Sequence, residues 1–113
     1  MDPRLRTPHN MPTLIEGTLC RGRQFSTTKP VTFASRMVPI APYTHEGGQS
    51  IPVPAGSVIT YTGAYMFGSD PGPGFPEFDI TMPDGKTAHG HACGKDLEYW
   101  GRLVAGWCEP IET

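Results

Sequence analysis

A chain of 113 residues has room for one domain around one core, and not for two. That core has to be small, because Leu, Ile, Val and Phe together supply 21 residues while Gly and Pro supply 27. A net charge of only −2 and eleven aromatic residues argue against a disordered chain, and no run approaches the roughly 20 apolar residues of a membrane span.

In chain order, residues 1–12 hold Pro3, Pro8 and Pro12 without a periodic pattern, and read as a basic, Pro-rich arm before a single β domain over 13–113. The arm has no apolar stretch behind its charges, so no secretory leader is expected. Thr13–Cys20 reads as a first strand with Gly17 as a bulge, and 21–30 as a polar loop. Val31–Val38 alternates, with Val31, Phe33, Ser35 and Met37 on one side, and predicts a strand. In Ile51-Pro52-Val53-Pro54 the two prolines turn their missing N–H groups to the same side, which suits an edge strand paired on one side only.

Ser57–Thr62 is the richest run in β-branched and aromatic residues, and it is expected to continue past Gly63 through a bulge. Residues 68–74, Gly-Ser-Asp-Pro-Gly-Pro-Gly, can only be a loop. Phe78, Ile80 and Met82 then alternate with Asp79 and Thr81 before Pro83-Asp84-Gly85, so a β-hairpin is predicted into Lys86–His89. Asp96 as an N-cap ahead of Leu97 and Trp100 predicts one short helical turn near 96–101, and Leu103–Cys108 a closing strand.

Six to seven short strands with no long helix and no repeat define an all-β chain, either a small barrel or a compact two-sheet sandwich. The succession of strand, long loop, hairpin, helical turn and last strand resembles the layout of SH3-like barrels. That resemblance is one of layout and implies no activity.

Two groups of residues stand out as candidate sites. His89, His91 and Cys93 share one face if the strand runs that far, and imidazole with thiolate suits zinc; a packing role for the same strand face is the competing reading. Tyr65, Phe67, Asp70 and Phe75 flank or occupy the long loop, and loops of this length on small β domains commonly carry binding groups. Glu77 and Asp79 alternate along the hairpin and are expected on its solvated face. None of the nucleophile-elbow, phosphate-loop, HExxH or dinucleotide motifs is present, so nothing marks the chain as an enzyme. Three cysteines without framework spacing fit a reducing cytoplasm.

Charge is divided along the chain. Residues 1–36 carry six cations against two acids, a net +4, whereas 37–113 carry three against nine, a net −6. Together with the small core, this points first to a binding or assembly module that self-associates and meets a protein partner through the 68–76 loop. The alternative is a small-molecule-binding protein or enzyme with a pocket at a subunit interface or under that loop, using His89 and His91. Nucleic-acid contact through Arg4 and Arg6 of the arm ranks last, because the body of the chain is acidic.

Overall fold

The computed structural model describes residues 11–36, 38–41, 44–46, 48–66 and 72–112. The chain is all-β, with no helix among these residues. Seven strands form one curled antiparallel sheet, a half-barrel: β1 (Gln24–Thr27), β2 (Val31–Ala34), β5 (Ser50–Val53), β6 (Val58–Tyr65), β7 (Phe75–Thr81), β8 (Thr87–His91) and β11 (Cys108–Pro110). Their spatial order is β11-β1-β6-β7-β8-β2-β5. Two small hairpins accompany it, β3 (Val38–Ala41) with β4 (Thr44–Glu46), and β9 (Glu98–Tyr99) with β10 (Arg102–Leu103).

The hairpin read from the sequence is the centre of the sheet. β7 pairs β8 from Glu77↔His91 to Thr81↔Thr87. Gly85, at φ 90°, donates its N–H to Met82 O, and the Asp84 carboxylate accepts from the Lys86 N–H. β6 runs eight residues beside β7, with its register shift between Tyr61 and Gly63. Gly63 has φ 143°, so the bulge falls at the residue without a Cβ.

β5 is an outer strand of the sheet, as its prolines require. Phe33↔Ile51 and Val31↔Val53 flank the Thr32↔Pro52 pair, so neither Pro52 nor Pro54 offers an N–H to a further strand. The opposite outer strand, β11, likewise contains Pro110.

The core fills the concave side of the sheet. Phe78 stands at its centre, edge-on to Phe25 at 6.3 Å and to Tyr61 at 5.8 Å, and tilted against Phe33 at 5.7 Å. Trp107 stacks edge-on to Phe33 at 5.7 Å, and its buried indole N–H reaches Leu97 O at 3.1 Å. Each buried large side chain contributes about 1.5–3 kcal/mol of transfer free energy, so these aromatics compensate for the shortage of aliphatics. Gly90 and Ala92 are small because the core presses on them: a Cβ on Gly90 would sit 2.9 Å from Ile51 Cδ1 and 3.0 Å from Ala34 O.

Four segments differ from what the sequence predicts. Thr13–Cys20 is no strand; only Leu14 bridges to Val104, and Gly17 bends the chain at φ 91°. The polar stretch after it contains β1, whose Phe25 and Thr27 point inward while Gln24 and Ser26 do not. The helical turn near 96–101 is instead a turn in which the N–H groups of Leu97 and Glu98 reach Gly94 O, followed by the β9–β10 hairpin. Trp100 at φ 51° and Gly101 at φ 77° are its two loop residues, the backbone of a tight hairpin turn and incompatible with a continuing helix. Leu103–Cys108 is likewise broken by a turn at 105–106. Residues 1–10 of the expected arm lie outside the described residues.

Candidate functional site

Two arrangements of chemically capable side chains stand on opposite faces of the sheet. The first is on the convex face. Because Glu77 pairs with His91 and Asp79 with His89, alternation puts Phe75, Glu77, Asp79, His89 and His91 on one side, with Phe78, Ile80 and Gly90 on the other. Tyr65 joins them through its pairing with Phe75. The His91 ring lies between Tyr65, at 4.7 Å, and Phe75, at 5.5 Å. Tyr65 and Phe75 from the loop reading and His91 from the strand reading thus form a single cluster. Phe67 and Asp70 lie outside the described residues.

Glu77 is the anchor of this cluster. Its side chain is buried, against the expectation of a solvated face, whereas Asp79 is exposed as expected. Arg36 explains the difference. Its Nε and Nη2 grip the two carboxylate oxygens at 2.7 and 2.6 Å, and its guanidinium also sits 5.3 Å from the Tyr65 ring centre. The fork geometry suits a carboxylate, and the bond to Arg36 holds Glu77 below the usual carboxylate range against the opposing effect of burial. The same bond raises Arg36. His89 Nδ1 lies 2.9 Å from Asp79 Oδ1, and its Nε2 lies 3.4 Å from Glu77 Oε2.

His91 is 7% exposed, and its Nδ1 is buried without a hydrogen-bond partner among the described residues. Burial therefore pushes its imidazole below the ordinary value, outweighing the nearby Glu77. Cys93 lies two residues beyond the end of β8, partly buried, with its thiol raised by burial and by Glu98. Among the described residues, no group of three or more His, Cys, Asp and Glu side chains is placed to hold a metal ion. The two imidazoles instead serve different partners, His89 two carboxylates and His91 two aromatic rings.

The second arrangement is a cleft of about 490 Å³ on the concave face, where β6 and β7 meet the end of the long loop. Its apolar floor comes from Phe25, Tyr61, Leu103, Ile15 and Leu19, and one wall from Pro73 and Gly74. Among the described residues of its lining, Arg23 and Arg102 are charged and none is Asp or Glu. Arg23 lies over the Phe25 ring at 4.9 Å and donates to the carbonyls of Glu16 and Thr18 at 3.1 and 3.4 Å. Arg102 Nη2 donates to Ile15 O at 3.4 Å. These contacts hold the 15–19 segment as the cleft's other wall and leave further guanidinium N–H groups for a ligand.

Two exposed apolar residues adjoin the lining glycines Gly101 and Gly74. Trp100 is 70% exposed at the tip of the β9–β10 hairpin, and Met66 is half exposed at the start of the loop. They flank one seam. A Cβ on Gly101 would lie 3.0 Å from Pro73 Cβ, and one on Gly74 would lie 2.5 Å from Met66 Sδ, so the hairpin tip packs on the loop and the loop on Met66. The sequence reading located this loop but not its companions, because nothing in the sequence brings Arg23, Trp100 and Arg102 together. Only the Trp100-Gly101 pair signals them, and in the sequence it fits a helical turn as well as a hairpin tip. Comparison with family models, curated proteins and solved structures finds no match for the chain.

Proposed function

We propose that the chain is a protein-binding module whose contact surface is the concave cleft and its apolar rim of Trp100, Pro73 and Met66. The observation that carries this reading is Trp100, 70% exposed and held at positive φ beside a cleft of about 490 Å³. A bulky residue in the left-handed region costs roughly 1–2 kcal/mol, and a Trp there gains little from folding while it faces solvent. Exposed Trp and Arg around an apolar depression are the residue types that dominate binding energy at protein interfaces. The cleft volume is also within the roughly 300–1,000 Å³ of ligand sites. Pro73 and Gly74, at the end of the long loop, line it, whereas neither His89 nor His91 does.

A photo-reactive amino acid placed at Trp100, and separately at Lys86 on the far hairpin turn, tests the proposal in the cell that makes the protein. A discrete crosslinked species from position 100 alone supports it. No discrete species, or the same species from both positions, refutes it. Self-association is the second reading, favoured by the small core. Because both outer strands carry proline, it would use a face of the domain rather than strand addition, and light scattering at micromolar concentration decides it.

A further inference from the structure

We infer that the cleft recognises a carboxylate attached to an apolar residue, in a peptide segment of the partner, through Arg102 and Arg23. This deepens the binding reading of the same cleft and rests on it.

Charge within the cleft carries the inference. The chain as a whole is acidic, with eleven Asp and Glu against nine Lys and Arg. Among the described residues, the cleft reverses that balance, with two arginines and no acid in its lining. Neither arginine has a carboxylate partner among the described residues; both donate to backbone carbonyls of the 15–18 segment, and Arg23 also lies over the Phe25 ring. Arg36 is the contrast within this same protein, its fork saturated by Glu77. A guanidinium held by one or two long bonds to neutral carbonyls is positioned and yet still able to donate a charge-assisted pair.

The floor supplies the other half of the recognition. Phe25, Tyr61 and Leu103 line the same pocket, with Arg23 over the Phe25 ring, and the pocket has room for an aromatic or branched side chain with its carboxylate. A phosphate-rich polymer would meet the arginines but leave this floor unused. An apolar residue that bears a carboxylate satisfies both. That carboxylate can be the chain terminus of the partner or an acidic side chain next to the apolar residue, and the two are separable by experiment.

The test uses three small peptides: acetyl-Gly-Phe as the free acid, acetyl-Gly-Phe amide and acetyl-Asp-Phe amide. Each is titrated into the full isotope-labelled chain while the backbone amide signals of Gly74, Gly101 and Arg102 are followed. The inference expects at least one acid-bearing peptide to bind about tenfold more tightly than acetyl-Gly-Phe amide. Tighter binding of the free acid identifies a terminal carboxylate, and tighter binding of the Asp peptide a side chain. Arg102→Gln should abolish the preference while leaving thermal unfolding in place, since Arg102 is exposed. Raising the salt concentration should weaken the acid-bearing peptide and not the neutral one.

Equal binding of all three at the cleft overturns the carboxylate inference and leaves the binding module standing. No movement of the cleft signals with any peptide overturns both. Movement of the same signals with protein concentration alone assigns the cleft to a second copy of the chain and also overturns the peptide.

Discussion

Gly90 sits between the two imidazoles of β8, and replacing it tests whether the convex cluster is held in place by the core behind it. A Cβ there would meet Ile51 Cδ1 at 2.9 Å, Ala34 O at 3.0 Å and Phe33 Cβ at 3.4 Å. Ordinary carbon contacts lie at about 3.5–4.0 Å. The Ile51 terminus can rotate away, but Ala34 O is backbone of β2, and β8 pairs with β2 only at Ala34↔His91. Gly90→Ala therefore has to push β8 off β2 by a few tenths of an ångström. Overpacking of this kind costs about 1–3 kcal/mol, offset by roughly 0.5–1 kcal/mol from removing a strand glycine. The expected net loss is about 1–2 kcal/mol, read as a lower urea midpoint with unchanged slope. Ile51→Val deletes Cδ1 and should recover part of that loss, with a coupling of about 0.5–1 kcal/mol in the double-mutant cycle. A neutral or stabilised Gly90→Ala would refute the argument that the core dictates this glycine.

Three other outcomes follow from the geometry. Stability should fall on acidification in two stages. The unfolded chain takes up a proton at His91 near pH 6.5 and the folded one only at lower pH, so stability declines below about 6.5; Glu77, lowered by Arg36, adds its loss below the ordinary carboxylate range. His91→Phe should remove the first stage and Glu77→Gln the second, measured by urea unfolding between pH 7 and pH 3. In the native protein Cys20 should react readily with a thiol reagent, while Cys108, buried and pushed up to about 12, should stay unmodified until the chain unfolds; equal labelling rates would contradict the core packing. Trp100→Asn, which creates an Asn-Gly turn, should leave stability within about 1 kcal/mol while weakening partner binding more than tenfold; undiminished binding would remove Trp100 from the contact surface.

What the sequence showed depended on how local the deciding physics was. The β7–β8 hairpin, the Gly63 bulge and the proline-bearing outer strand were legible because alternation and turn chemistry act over a few neighbouring residues. β1 was hidden because Gln24-Phe25-Ser26-Thr27 buries a threonine, whose hydroxyl donates to Pro54 O at 2.7 Å and accepts from the Ser57 N–H at 2.9 Å. That burial is satisfied by residues about thirty positions away. Glu77 was read as solvated for the same reason: its burial depends on Arg36, 41 positions earlier, and no local pattern announces the pair. Tyr65, Phe75 and His91 were each singled out separately, and the sheet register brought them together.

On the binding reading proposed above, the two faces of the half-barrel divide structure from recognition by how their charges are used. On the convex face, the Arg36 guanidinium is paired with Glu77, and the His89 ring lies between Glu77 and Asp79. Such a set ties β2, β7 and β8 across a surface that the thin core does not reach, and it leaves little for a ligand to gain. On the concave face the described arginines are braced by neutral carbonyls and, for Arg23, by the Phe25 ring, and the large apolar residues Trp100 and Met66 are exposed. Unspent donors beside exposed apolar surface lower the free energy of the folded chain less than they lower that of a complex. On that reading the two histidines, the residues most prominent in the sequence, serve the scaffold, and recognition falls to residues that the sequence leaves scattered.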